Sequence, residues 1–406
     1  MCRTVLTAVS VVVFFMPTLL ATVHVVPEPY PKIQEAIEVA AEGDTVLVLP
    51  GTYFENINFN GKPIVVASKY LLEQDPSLIA ATIIDGAYPQ KADTSSVVIF
   101  VSNEGPMSVL CGFTLMNGLG TEVPGSFDGG GIFVGAGCAP TIICNIIRNN
   151  NALRGGAVAI HGASSVFAHN AVYANNACHG GGIWLENSQA TICHNVFYEN
   201  VATAAGGACF SSGSNALFDH NVVAGGSAQE GGGIFCDSGE FIIEYCDFYA
   251  NNGGDFVGCG TAELGDTSWG INFNRHATDC YYNIFRAPRL ADPAGGDFSL
   301  ECYSDLIDAG RGLSPFFPIG GKRTDIGIFE YPYLPVDLNG DGKINLADAT
   351  ALINIIFSDA PLPCPVWIAD LDCSRYINIT DIVAFIAYWA GYGPVPCALD
   401  PDPDTP

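Results

Sequence analysis

The chain has 406 residues, 49% of them hydrophobic, with 42 acidic against 15 basic side chains and a formal net charge of −27. That length and apolar content allow one large core plus a small second unit and argue against disorder away from the ends. The acidic balance argues against a nucleic-acid partner, because phosphate binding needs clustered Lys and Arg, and leaves cations or neutral sugars as better-suited ligands.

Arg3, an apolar run from Val5 to Phe15, Pro17 and small residues up to Ala21 follow the order of a secretory signal peptide, so residues 1–21 are expected to be a leader cut near Ala21. A membrane anchor is the competing reading, but the run is short for a bilayer span. No other stretch reaches membrane length, so the expected location is extracellular or at the cell surface. Of fifteen cysteines, Cys2 leaves with the leader, and an oxidising compartment permits disulfides among the other fourteen. No CxxC pair occurs, which argues against zinc. Cys364 and Cys397 flank the last helical stretch and are expected to bridge, with the remaining connectivity open.

In PKIQEAIEVAAEGD, the residues Ile33, Ala36, Ile37 and Ala40 fall at helical spacing and Gly43 ends the pattern. An amphipathic helix is predicted there, covering an otherwise unpaired sheet edge. DTVLVLPGTYFENI then starts the first strands.

The middle of the chain repeats. Paired glycines begin at Gly129, Gly155, Gly180, Gly206 and Gly231, spaced 26, 25, 26 and 25, and each pair opens a short apolar run. Asn145, Asn170, Asn195 and Asn221, then Cys246, form a second column, and Asn150, Asn175, Asn200 and Asn251 a third that is broken by Gly226. Ile142, Phe167, Ile192, Phe218 and Ile243 read as one core column, and Ile147, Val172, Phe197, Val223 and Phe248 as another. Short β runs with glycine or asparagine at the corners cannot bury an apolar face alone, but coils stacked about 4.8 Å apart can. Asparagine tolerates the left-handed backbone of a corner, and its amide can hydrogen-bond along the column, so both asparagine columns are expected to be structural.

These coils, together with IQEAIEVAAEGDTVLVLPGTYFENINFNGKPI before them and DPAGGDFSLECYSDLIDAGRG and TDIGIFE after them, resemble the right-handed parallel β-helix proteins of the pectin-lyase-like superfamily. The resemblance covers residues 23–331. It implies an all-β solenoid with an N-terminal capping helix, and relatives that include polysaccharide lyases, glycoside hydrolases and proteins without enzymatic activity, so the fold alone does not fix a function. The paired aspartates of polygalacturonase-like hydrolases are missing: neither Asn-Thr-Asp nor Gly-His-Gly occurs, and His161-Gly162 runs into Ala163.

A lyase needs a base and a cation to neutralise a uronate carboxylate. Directly before the glycines stand Asp128, Arg154, His179, Ala205 and Glu230, near neighbours on one face of a solenoid. Arg154 or His179 would be the base and Asp128 or Glu230 the cation ligand; the plainer alternative is a row of solvated corner charges. Three residues after the asparagines come Arg148, Tyr173, Tyr198, Ala224 and Tyr249, a possible flat surface for sugar rings. Phe133, Ala159, Trp184, Phe210 and Phe235 form a similar column that loops are free to cover. Packing against loops is the alternative for both. His169, His194 and His220 also align, with a metal site and a structural corner as the two readings. An insertion, 253–279, interrupts the repeat and is expected to form a loop on one face.

After Tyr331 the spacing turns helical. Asp337, Asn339, Asp341, Lys343 through its carbonyl, Asn345 and Asp348 occupy calcium-loop positions 1, 3, 5, 7, 9 and 12, with Gly342 at the turn. The frame recurs 33 residues later at Asp370, Asp372, Ser374, Asn378 and Asp381. Each loop precedes one amphipathic helix, whose predicted inner faces are Ala349, Leu352, Ile353 and Ile356, and Ile382, Phe385, Ile386 and Trp389. The duplicated motif resembles dockerin type I. That resemblance implies a small α-helical, EF-hand-like module over 336–398 that folds on Ca2+ and docks on a cohesin-like scaffold protein, followed by a disordered tail, 399–406. Arg375 at the turn and Ser374 among the ligands depart from the pattern and imply a weaker second site. The sequence therefore predicts a secreted, polysaccharide-directed protein, either a lyase or glycosidase or a non-catalytic adhesion platform.

Overall fold

The computed structural model describes residues 21–89, 91–260, 263–272, 274–312 and 323–396. Residues 1–20 of the expected leader, Cys397 and the 399–406 tail lie outside them.

Three long parallel sheets dominate the chain. The first holds nine strands, from Val23–Val26 and Thr45–Val48 through Val109–Cys111, Thr141–Ile143, Val166–Ala168 and Thr191–Cys193 to Ile242–Glu244. The second and third hold eight each, Gly51–Tyr53 to Asp247–Tyr249 and Ile57–Asn58 to Phe256–Val257. Successive strands of one sheet are one repeat apart, as in Ile142 opposite Phe167 and Phe167 opposite Ile192. The chain is thus a parallel β-helix, and both predicted core columns are buried in its interior.

The amide ladders form, but the corners differ from expectation. Asn170 accepts the Asn145 backbone N–H at 2.9 Å, while its Nδ2 donates to the carbonyls of Ile142 and Ala168, each at 3.0 Å. The same pattern continues through Asn195 and Asn221. The left-handed residue is the one before each column position: Cys144, His169, His194, His220 and Tyr245 at one corner, Asn149, Ala174, Glu199, Gly225 and Ala250 at the next. The ladder asparagines turn their amides inward to satisfy carbonyls that the bend removes from the strands, and their outward-pointing predecessors take the strained backbone. Cys246 is followed in its column by Asn283, whose Oδ1 accepts the Cys246 N–H at 2.9 Å. Gly226 breaks the other column for steric reasons, since a Cβ there would strike the Gly232 carbonyl. The first glycine of every pair has φ between +59° and +71°, and a Cβ on it would strike the carbonyl three residues ahead.

The predicted N-terminal helix spans Ile33–Val39 and buries Ile33, Ala36 and Ile37. The repeat persists further than predicted: Phe256–Val257 still pairs in the third sheet, so the excursion begins at Gly258. Cys236 and Cys259 bridge the last two coils. The closing segment forms an antiparallel hairpin, Leu290–Asp292 with Asp297–Leu300, and lies along the outside of the second sheet, where Phe298, Leu300, Leu306, Ile326 and Ile328 share a cluster with Ala171, Val196 and Val222.

The tail carries helices Leu346–Phe357 and Ile379–Trp389, which pack together. Ala349, Leu352, Ile382 and Phe385 are buried as predicted, but Ile353, Ile386 and Trp389 are exposed, because the inner face is narrower than the apolar stripe. The expected Cys364–Cys397 bridge is replaced: Cys364 bonds to Cys302 of the closing segment. The closing segment reaches the tail because both belong to one apolar cluster. Among the described residues no helix is long and apolar enough to cross a membrane.

Candidate functional site

Three places bring chemistry together. Beside the third sheet, on the short strands and bridges that lead into it, Asp128, Arg154, His179, Ala205 and Glu230 do form a bridged column. Asp128 is fully buried and takes the Arg154 guanidinium on both oxygens, with Nε 3.0 Å from Oδ1 and Nη2 2.8 Å from Oδ2. His161 stands between two carboxylates, Nε2 3.0 Å from Asp128 and Nδ1 2.8 Å from Glu186. Ser126 completes the surroundings with a hydroxyl bond to Asp128. Burial opposes the Asp128 charge, but the His161, Ser126 and Arg154 contacts outweigh it and hold its pKa below the usual carboxylate range.

His161, Glu186 and Ser126 were missed as candidates. A signal existed: six residues after each first glycine the repeat places Gly135, His161, Glu186, Ser212 and Asp237, a polar column beside the one chosen. His179 packs edge-on against Trp184 and Phe210, and burial beside Arg154 lowers its pKa. Glu230 is exposed and separated from His179 by Ala205. The aromatic column is closed: Trp184 is 7% exposed, stacks on Phe210 at 4.4 Å and receives Arg154 over its ring. Asp128, Arg154, His161 and Glu186 are matched inside one network, which fixes the hairpin of Gly120–Val123 and Ser126–Asp128 against the coils.

The second place is the outer face of the second sheet. Arg148, Tyr173, Tyr198, Ala224 and Tyr249 lie in register on consecutive strands. The expected open plane of phenols is partly covered, since Phe298 packs on Tyr173 at 5.1 Å and on Tyr198 at 5.9 Å. Beside that cover runs a groove. One cavity of about 500 Å³ is lined by Arg148, Tyr173, Tyr198, Glu199 and the 293–296 turn. A second of about 620 Å³ shares Ala80, Ile146, Gly295 and Gly296 with it and adds Tyr70, Cys144 and His169. Arg148 makes no ion pair among the described residues, unlike Arg154, Arg286 and Arg311. Burial raises the Tyr173 pKa while the Arg148 charge pulls the other way, as a guanidinium beside the phenol requires. Tyr249 is exposed beyond the cavity lining. The histidine column is a face-to-face stack, His169 on His194 at 5.0 Å and His194 on His220 at 4.7 Å, continued by Tyr245 and Tyr282. Parallel rings do not converge their nitrogens on one ion. They bond individually instead, His169 Nδ1 lying 3.0 Å from the Ile328 carbonyl and His220 Nδ1 2.6 Å from Asp219.

The third place is the pair of tail loops. Asp337 accepts N–H groups from Gly340, Asp341 and Gly342, and Asp348, fully buried, accepts those of Leu338, Asn339 and Asn345. Asp381 repeats this on Leu371, Asp372 and Asn378. Asn345 and Asn378 cap the helices, each in a capping box with the aspartate three residues on. In the second loop, oxygens of Asp370, Asp372 and Asp381 all lie within 4.8 Å of one another. An all-oxygen set of this density fits a hard divalent cation such as Ca2+. Arg375 and Cys373 hold φ of +73° and +54° where the first loop has Gly342 and Gly340.

Comparison with known proteins bears on the coils. A family model described as a right-handed β-helix region matches residues 125–241, and the three parallel sheets fit that architecture. No curated protein matches the chain. Among solved structures, a pectin methylesterase in complex with hexasaccharide VII is 11% identical, covering 60% of this chain and 82% of its own, with a TM-score of 0.35. The pectin methylesterase from carrot is 13% identical over 62% of this chain and 92% of its own, with a TM-score of 0.36. What the comparisons support for this chain is the right-handed parallel β-helix.

Proposed function

We propose that the protein is a secreted, polysaccharide-binding β-helix, attached to an extracellular assembly by a calcium-dependent dockerin-like tail. The observation that carries the binding half is the groove on the second sheet, where an unpaired Arg148 guanidinium sits beside Tyr173 and Tyr198. A phenol face packs on the C–H face of a sugar ring, and a guanidinium donates to hydroxyl or carboxylate oxygens. Binding without cleavage is favoured over a lyase or glycosidase, because Asp128 and Arg154 are spent on each other and Glu230 stands alone.

Two observations support the attachment half. The second loop gathers oxygens of Asp370, Asp372 and Asp381 within 4.8 Å of one another, and the first repeats its spacing, with the Lys343 carbonyl as its proposed position-7 ligand. The two helices also expose matching apolar stripes, Leu346 and Ile353 on one and Ile379 and Ile386 on the other, with corresponding positions 33 residues apart. A doubled apolar stripe on a small module suits docking on a cohesin-like partner. The two disulfides accord with secretion.

The test is a panel of neutral and acidic polysaccharides incubated with the full chain, with binding and product release both recorded. Retention on at least one glycan, lost in Arg148→Ala and Tyr198→Ala, is expected. Retention unchanged in both variants, or on no glycan, would sink the groove assignment, and released oligosaccharide would sink the non-catalytic reading.

A further inference from the structure

Among the cysteines outside the disulfides, one pair is held together by the solenoid. Cys111 ends the strand Val109–Cys111, and parallel pairing sets it opposite Ile143, so Cys144 lies one residue past the facing position on the next coil. Leu110 enters the interior, so Cys111 points outward, beneath the Tyr70 segment. Cys144, at the left-handed corner, lines the 620 Å³ cavity with Tyr70. The stagger thus sets the two cysteines on neighbouring coils with Tyr70 beside both, and each thiol shifts the titration of the other.

The same molecule shows what this stagger permits. Phe235 faces Val257 across two coils, so Cys236 faces Gly258 and Cys259 lies one residue beyond, and these two are bonded with Cα atoms 4.8 Å apart. Coils about 4.8 Å apart bring a one-residue diagonal within the roughly 4.4–6.8 Å that a disulfide spans. Cys193, the next cysteine in the Cys111 column, stands two coils beyond Ile143, about 10 Å away and out of reach.

We propose that Cys111 and Cys144 close an inter-coil disulfide when the protein meets a small-molecule disulfide such as oxidised glutathione. Cys144 is partly exposed at the cavity while Cys111 is buried, so Cys144 attacks first. Contact with Cys111 lowers the Cys144 pKa, which favours the thiolate that the attack needs. Its sulfur bonds to one sulfur of the oxidant and expels one glutathione thiolate. Cys111 then gives up its proton, attacks Cys144 and expels the second. Two protein thiols are oxidised, one oxidant is reduced to two thiols, and an S–S bond replaces the Cys144 thiol at the wall of the cavity that Tyr70 also lines. The redox state of the pair thereby sets how Tyr70 is held at the cavity wall. The proposal does not depend on the groove binding sugar.

The experiment uses the full chain, prepared reduced, freed of reductant, incubated with oxidised glutathione, alkylated and mapped by peptide mass spectrometry without reduction. The expected product is a linked pair of peptides carrying Cys111 and Cys144, two hydrogens lighter than the separate peptides and lost on reduction. Alkylation of both residues, or a link from either to another cysteine, overturns the proposal. In Cys111→Ser, glutathione is expected to remain on Cys144, and an unmodified Cys144 in that variant also overturns it.

Discussion

Removing calcium is the perturbation that most directly tests the tail. The Asp370, Asp372 and Asp381 oxygens lie within 4.8 Å of one another. A pair of unit charges at that distance repels by about 1 kcal/mol in bulk water and by about 3.5 kcal/mol at an effective dielectric near 20. Asp372 is exposed and Asp381 fully buried, so the three pairs span that range and together cost about 3–6 kcal/mol without a cation. A unit of this size has about 3–5 kcal/mol of core stability to set against it. Chelation is therefore expected to open the segment from Val366–Ala369 through Ile379–Trp389 while the coils stay folded. Because Cys302–Cys364 and the shared cluster tie the tail to the closing segment, the opened segment stays tethered. Hydrogen exchange with chelator, and again after calcium is restored, reads this directly: protection in 366–389 should fall and return, with the asparagine ladders unchanged. Equal protection in 366–389 with and without chelator would refute the reasoning.

Other outcomes follow from particular contacts. Arg375→Gly relieves a left-handed non-glycine residue at φ +73° and should stabilise the second loop by about 1 kcal/mol, read as tighter calcium binding in a titration. Asn170→Ala leaves the buried Asn145 N–H without its acceptor and removes the amide donor to the Ile142 and Ala168 carbonyls, of which Ala168 keeps the Cys144 N–H, and should cost about 2–4 kcal/mol in denaturant unfolding. Burial, with His220 and His169 on either side, holds His194 well below the ordinary imidazole pKa. The unfolded chain then binds the extra proton, so His194 contributes stability above pH ~6.5 that is lost as pH falls toward its folded pKa. His194→Phe should flatten the thermal melting profile below pH ~6.5, and an unchanged slope would contradict that assignment. Asp128 behaves likewise at lower pH: its depressed pKa makes its ion pair with Arg154 available above pH ~4 and lost below, so Asp128→Asn should remove that acid-side loss of stability.

How much of this was legible follows from where each feature is encoded. The coils were readable because every repeat restates the same constraints: a left-handed glycine, an inward asparagine, an apolar residue on either side. The corner assignment slipped by one residue because position in a column does not tell which of two neighbours carries the positive φ. Cys144, His169, Tyr245 and Ala250 share no side-chain type, so nothing in the composition marks them. The tail loops offered a reading for the opposite reason, since the spacing of their proposed ligands is local and needs no neighbour to be noticed.

The groove was only half legible, and the missing half has a physical cause. Arg148, Tyr173 and Tyr198 belong to the repeat and were placed in register from spacing alone. What turns their column into a cavity comes from outside it: the 293–296 turn, Phe298, and Ile328 to Pro332, which fold back over the second sheet. No period relates those residues to the coils they cover. The same return path explains why Cys364 found Cys302, and why Ile353 and Ile386 stay exposed: once the closing segment takes the second sheet's outer face, the tail packs against the closing segment and turns its remaining apolar stripes to solvent. On this fold, then, the residues that enclose the groove and the apolar stripes left exposed on the tail are both set by the non-repeating segments, while the repeat supplies the rigid column on which they act.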